Sequence, residues 1–338
     1  MSDKKRVKPT EFDLIRSYFA PLTANAPGAF ELKDDAALLD EGAYVVTKDV
    51  IIAGVHFLEK DPIDLVARKL LRVNLSDLAA KGAKPLGYFL ACVWPQGTKP
   101  DAVALFAQGL KEDQEHFSIS LYGGDTCMHR IKSGPLTLSA TFFGAPPRAG
   151  LTARSGARAG DDVYVSGVIG DAGLGLRALQ RKGKFAAADK APLIYRYQLP
   201  TPRLTLGGAL TNVATAAIDV SDGLLADAAH IAAASDLRIE IEAGAIPLSA
   251  AAQRWLASAR DEESAVTELA TFGDDYEILF TAPPQLRRSV SVAAEASRTD
   301  VSRIGVVKRG EGAALIGEGG DVLETPASGF DHFSTDED

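Results

Sequence analysis

Leu121-Tyr122-Gly123-Gly124-Asp125-Thr126 is the stretch around which the chain is organised. Ile119 and Leu121 read as the end of a strand, which runs into two glycines, an aspartate and a hydroxyl neighbour. Glycines let a backbone approach a ligand closely because no Cβ stands in the way. A carboxylate directly after them would repel a bare phosphate, so the pattern makes sense with a hard cation between the two. Alone, Gly-Gly-Asp is also ordinary turn composition. Recurrence gives it meaning, because a strand followed by an aspartate is repeated along the chain.

Upstream, Asp34-Asp35 leads into a short strand at 36–39, and the β-rich run Tyr44 to Ile52 has Asp49 embedded in it. Asp61-Pro62 opens a helix, with Asp as cap and Pro in the first turn. That helix carries Ile63, Val66, Leu70, Val73 and Leu78 at helical spacing, includes Asp77, and stops at Gly82. Thr10 caps an earlier helix bearing Phe12, Leu14, Ile15, Tyr18 and Phe19. Leu86 to Trp94 and Leu136 to Phe143 read as strands, with a helix from Asp101 to His116. Gly144 to Gly150, with Pro146 and Pro147, is the domain boundary, giving domains 1–146 and 147–338.

Downstream, the strand Asp162 to Ser166 meets Gly167, Gly170, Gly173 and Gly175, a tight strand-to-helix turn. These glycines do not match G-x-G-x-x-G, and no G-x-x-x-x-G-K-[ST] occurs. The strand Ala214 to Val220 ends in Asp219-Val220-Ser221-Asp222-Gly223, and a helix follows from Leu224 to Ala234. Phe272-Gly273-Asp274-Asp275-Tyr276 opens another strand, and further helices and strands close the chain. Strands and helices mix in both halves, which gives an α+β fold of two α/β-type domains.

The 338 residues suffice for two sizeable cores. A net charge of −9 argues against a nucleic-acid partner, which would need a basic face. Cys92 and Cys127 form neither a disulfide framework nor a C-x-x-C zinc motif. Met1 to Lys8 are charged and lack a signal-peptide core, and no apolar run reaches membrane-spanning length. A cytoplasmic enzyme or binding protein is expected.

The recurrent aspartates are Asp35, Asp49, Asp77, Asp125, Asp219 and Asp222, with Asp274 and Asp275 as outliers. Singly, each is more readily a cap or turn residue than a ligand. Several sit among apolar neighbours, and buried like charges are costly unless a cation neutralises them. An all-oxygen donor set selects Mg²⁺, Mn²⁺ or Ca²⁺ over zinc, and Mg²⁺ completes its shell with water and substrate phosphate. Phosphoryl transfer is the chemistry that follows.

With these residues in place, the chain resembles the thiamine-monophosphate kinases, in the superfamily that includes aminoimidazole ribonucleotide synthetase and selenophosphate synthetase. The resemblance runs from Glu11 to Phe333. It rests on Asp34-Asp35-Ala36, Asp49 with Ala53-Gly54-Val55-His56-Phe57, Val73-Asn74-Leu75-Ser76-Asp77-Leu78 and Gly123-Gly124-Asp125-Thr126. It continues through Arg154-Ser155-Gly156, Asp219 to Leu224, Gly273 to Glu277 and the closing Phe330-Asp331-His332-Phe333. Lys33, Lys48, Phe272 and Asp274 depart from the family pattern.

The resemblance implies ATP-dependent phosphorylation of thiamine monophosphate to thiamine diphosphate with several Mg²⁺ ions. It implies that Asp35, Asp49, Asp77, Asp125, Asp219 and Asp222 ligate metal, with Thr47 and Lys48 contributing. Gly124, Asp125, Arg154 and Ser221 would contact ATP, and His56, Asp274 and Phe330 the thiamine phosphate. It also implies a PurM-like N-terminal domain whose strands pair across a homodimer into a shared sheet or barrel. Two alternatives are another ATP-dependent synthetase of the superfamily and a metal–nucleotide-binding regulator without turnover. The acceptor, a phosphate monoester with a second pKa of about 6, needs no general base.

Overall fold

The computed structural model describes residues 27–39 and 44–325. The helix expected near 12–19 and the tail with Phe330 lie outside the described residues.

The first half is built on a five-stranded sheet of β1 (Ala37–Leu39), β2 (Tyr44–Ile52), β3 (Lys84–Trp94), β4 (Ser120–Met128) and β5 (Thr137–Ala145). Its order is β1-β2-β5-β3-β4, antiparallel throughout except for the parallel β3–β4 pair. Alternation along β2 decides which face is buried: Val45, Thr47 and Ile51 point inward, while Tyr44, Lys48 and Val50 are exposed. Leu138, Ala140 and Phe142 continue the buried face, with Tyr88 stacked on Phe142 at 4.9 Å between ring centres.

Among the described residues, two α-helices complete this half, α1 (Ile63–Ala80) and α2 (Pro100–Phe117). Pro62, not Asp61, stands at the N-cap of α1, and Asp61 Oδ2 instead accepts the Leu58 N–H. The α1 helix is buried on nearly every side, including its polar residues Lys69, Arg72, Asn74 and Ser76. It packs on β2 and β5 with one flank and on elements of the second half with the other.

The second half carries a six-stranded sheet of β6 (Asp162–Ser166), β7 (Ala216–Asp219), β8 (Arg238–Glu242), β9 (Ile278–Ala282), β10 (Val301–Lys308) and β11 (Gly312–Ile316). Its order is β11-β8-β10-β6-β9-β7. Helices α3 (Asp171–Leu179), α4 (Ala187–Gln198), α5 (Leu204–Leu210), α6 (Leu224–Ser235), α7 (Ala250–Ala257), α8 (Glu262–Thr271) and α9 (Arg287–Ser297) surround it. One core lies between α6, α8 and the sheet; on the other side Tyr164, Ala217, Phe280 and Leu210 pack with Ala79 of α1.

The expected α+β architecture is present, and one local expectation is corrected. Gly123-Gly124-Asp125-Thr126 lies inside β4, not in a loop after a strand. A Cβ on Gly124 would stand 1.9 Å from the Leu90 carbonyl oxygen, so the close β3–β4 pairing itself requires glycine there.

Candidate carboxylate and nucleotide site

Four elements bring the inward-facing aspartates together at the junction of the halves. Asp35 precedes β1, Asp49 lies on the inward face of β2, Asp77 is in the last turn of α1, and Asp219 ends β7. Oxygens of Asp35, Asp77 and Asp219 lie within 4.8 Å of one another. Thr47, two residues before Asp49 on the same face, donates to Asp77 Oδ2 at 2.5 Å and to the Asp35 carbonyl at 3.2 Å.

The electrostatics of the group are uneven. Burial alone would raise the Asp35 carboxyl, but Arg154 and Lys81 beside it hold it at about 2. Lys81, with no exposed surface, is 2.5 Å from Asp35 Oδ2 and 2.9 Å from Asp34 Oδ1, and donates to the Ala217 carbonyl at 2.9 Å. Arg154 donates to Asp35 through Nε at 2.6 Å and through a second guanidinium nitrogen, and its backbone N–H donates to Asp34. Asp49, Asp77 and Asp219 have no direct ion pair with a lysine or arginine among the described residues. Burial, reinforced by Asp35 and Asp222, pushes Asp49 up to about 6 even against Lys48. Burial and Asp35 push Asp219 up to about 7, and burial with Asp49, Asp219 and Asp35 lifts Asp77 well above the carboxylate range.

These are carboxyls short of positive charge. Their donors are all oxygen, they come from both halves, and their mutual spacing suits ligands that share hard cations. The residues present therefore fit a divalent cation such as Mg²⁺.

A second group forms on the next turn. Asp222, Asp227 and His230 also place one ligand atom each within 4.8 Å of one another. Asp227 Oδ2 accepts both the Ser221 and the Asp222 backbone N–H, at 3.0 and 3.1 Å, which fixes the turn between β7 and α6. Sequence reasoning missed Asp227 and His230, although their i,i+3 spacing on an expected helix was visible.

The segment before β9 separates its acidic residues by role. Asp274 remains partly exposed beside Lys69, while Asp275 is buried and accepts the Gly170 and Ala172 N–H groups at the start of α3. Glu277, also buried, is held by Ser166, Arg196 and Arg203 and ties α4 and the start of α5 to the sheet. Tyr276 packs against the core of the first half. His56 follows β2, and its Nδ1 accepts the Ile52 N–H at 3.1 Å.

Asp125 and Lys48 stand apart from the group. Ladder pairing places Asp125 in one row with Ala91, Ser139 and Val50, and paired residues share a face of the sheet. That is the outer, exposed face, opposite Asp49. Lys48 Nζ donates to Ser139 Oγ on the same face.

The family model described as AIR synthase related protein, N-terminal domain, matches residues 33–145, and its C-terminal counterpart matches 158–318. A thiamine-monophosphate kinase of Caulobacter vibrioides is 48% identical over 317 residues, covering 93% of this chain and 88% of that protein. The chain belongs to the thiamine-monophosphate kinase family. The kinase of Escherichia coli strain K12 is 36% identical over 96% of this chain and 98% of its own length. A solved structure described as AaThiL complexed with AMPPCP and TMP superposes with a TM-score of 0.80 at 30% identity, covering 98% of this chain and all of that one. The resemblance carried by the aspartate motifs is thus borne out at the level of family and fold.

Proposed function

We propose that the chain transfers the γ-phosphoryl group of ATP to thiamine monophosphate, giving thiamine diphosphate and ADP. The observation that carries this reading is the cluster of Asp35, Asp77 and Asp219, contributed by both halves, in a chain of this family. We assign Asp35, Asp49, Asp77, Asp219 and Asp222 as the residues that would hold Mg²⁺, with Thr47 supporting through Asp77. The ions, when bound, supply the positive charge that lets two phosphorylated molecules share the site.

The remaining work falls to side chains and backbone. An oxygen of the acceptor phosphate attacks the γ-phosphorus, the bond to the β-phosphate oxygen breaks, and ADP leaves. The acceptor is largely ionised at neutral pH, so no side chain has to remove a proton. Arg154, anchored on Asp35, has further N–H donors for the triphosphate. Gly124 and Ser221 are assigned to ATP, and His56 and Asp274 to the thiamine phosphate. Phe330 keeps its assignment to the acceptor from resemblance alone.

Asp125 serves this site from the outer sheet face, where we place the second copy of a homodimer. Tyr44, Phe89, Tyr122 and Phe143 stand together on that face, which supports the pairing. We divide the chain at 146/147, where β5 has just ended. The cytoplasm is the proposed location; among the described residues no helix is long and apolar enough to cross a membrane.

The test is ADP release by the purified protein. Turnover is expected only with thiamine monophosphate, ATP and Mg²⁺ together. Turnover with an aminoimidazole precursor and none with thiamine monophosphate would overturn the reading.

A further inference from the structure

Lys69 lies at mid-length in α1 with 2% of its surface exposed, and the function above gives it no task. Its Nζ donates to the His56 carbonyl at 3.0 Å and to Asp274 Oδ2 at 3.1 Å. The same nitrogen lies 4.1 Å from the centre of the Tyr197 ring. These partners come from three places: the segment after β2, the segment before β9, and the last turn of α4. A buried ammonium is costly unless compensated, and here a carboxylate, a carbonyl and an aromatic face compensate it.

The Asp274 side is built with equal care. Asp274 and Tyr276 adopt φ of +70° and +49°, a left-handed conformation that is uncommon outside glycine and, for a bulky residue such as Tyr276, needs surroundings that impose it. The imposition is visible, since the Asp274 N–H donates to the Ser221 carbonyl at 2.8 Å and the Tyr276 N–H to the Val220 carbonyl at 2.7 Å. The result is a carboxylate with Oδ2 occupied by Lys69 and Oδ1 without a hydrogen bond among the described residues.

We propose that Lys69 is a positioning residue for the phosphate acceptor, acting through Asp274 and His56. By taking Oδ2, it leaves one oxygen of fixed direction to accept from the acceptor's heteroaromatic amine. By neutralising Asp274, it also removes a charge that would repel the acceptor's phosphate end. The same ammonium fixes the His56 backbone, so one buried cation sets the two substrate-facing groups relative to each other across the two halves. This inference rests on the kinase reading and names which part of the site selects the acceptor.

Steady-state kinetics of the full chain test it, with thiamine monophosphate and ATP varied separately. Lys69→Met is expected to raise KM for thiamine monophosphate about 10-fold, the scale of a hydrogen bond to a charged group. KM for ATP should change less than about threefold, and Lys69→Arg should recover part of the loss. Asp274→Asn should reproduce the acceptor effect, and the double variant should be no worse than the worse single, as for residues acting as a unit. An equal rise in both KM values, or a fall in kcat alone, would overturn the proposal. If Lys69→Met does not fold, Asp274→Asn decides, and an acceptor KM within about twofold of wild type rejects the proposal. Wild-type protein without turnover on thiamine monophosphate would reject the kinase reading, and this inference with it. Active wild type with an unaffected Asp274→Asn rejects the inference alone.

Discussion

Asp219 and Asp35 lie in one cluster yet sit on opposite sides of the usual carboxylate pKa. Asp35 has two cations against it, whereas Asp219 has burial and the charge of Asp35 itself. A folded-state value raised to about 7 means that ionising Asp219 penalises the metal-free fold, a penalty that builds above the ordinary carboxylate range and is complete once pH passes 7. Asp219→Asn removes that charge, so at pH 8 without divalent ions the variant is expected to melt about 2–4 °C above wild type. It should also lose the Mg²⁺-induced rise in Tm and at least ~100-fold in activity. Calorimetry with and without Mg²⁺ checks both, and a full Mg²⁺ response in the variant would remove Asp219 from the ligand set. Asp275 gives a second pH signature away from the cluster. Burial raises it to about 8 despite the Gly170 and Ala172 N–H groups and Arg196. Its contribution to stability is therefore present at low pH and lost as pH rises through 8. Asp275→Asn should be destabilised at pH 6, with the gap to wild type narrowing toward pH 9 by up to roughly 1.4 kcal/mol per pH unit in urea titrations. At this scale the aspartates were legible in the sequence because acids among apolar neighbours are out of place. Lys69 and Lys81 were not, because a lysine in a helix reads as solvated until both flanks of that helix are known to be covered.

The α1 helix shows why its own pattern was only half readable. The spacing of Val66, Leu70, Val73 and Leu78 announces a helix with one apolar face. Burial of its other face follows from the second half of the chain packing there, and no local pattern encodes that. The β3–β4 pair makes the same point for strands: two glycines before an aspartate look like a loop until the close approach of Leu90 is seen. Contact between the halves is tightest where α5 crosses the end of α1. A Cβ on Gly207 would stand 1.8 Å from the Ala79 carbonyl oxygen, a backbone atom that a side-chain movement cannot clear. Gly207→Ala is expected to cost about 1–3 kcal/mol, read as a lower urea midpoint. Because Ala79 follows Asp77 by two residues, the variant should also weaken Mg²⁺ binding, and unchanged binding would show that the crossing does not set the cluster. By contrast, Gly208 has open space around its Cβ position, so Gly208→Ala serves as the control.

At the scale of the whole molecule, the first sheet has one covered face and, among the described residues, one bare one. Its bare face carries Tyr44, Phe89, Tyr122 and Phe143, with Phe89 edge-on to both Tyr122 and Phe143 at about 6 Å. Four strands of nine to eleven residues, about 4.8 Å apart and about 30 Å long, with the three-residue β1 at the edge, give a face of roughly 600 Å², the lower end of what a standard interface takes from each partner. Asp125 and Lys48 lie on this face, so pairing of two copies would bring residues assigned from family resemblance to a position that a single chain leaves in solvent. Phe89→Asp places a charge at the centre of the aromatic group. Since Phe89 is 46% exposed in the single chain, the substitution should leave the fold intact, with Tm of the separated chain within a few degrees of its expected value. Wild type is expected to sediment as a dimer at micromolar concentration and Phe89→Asp as a monomer. If Asp125 acts from the paired face, the monomer should also lose activity although Asp35, Asp77 and Asp219 remain grouped. A fully active monomer would confine the site to one chain and leave Asp125 without a part in it.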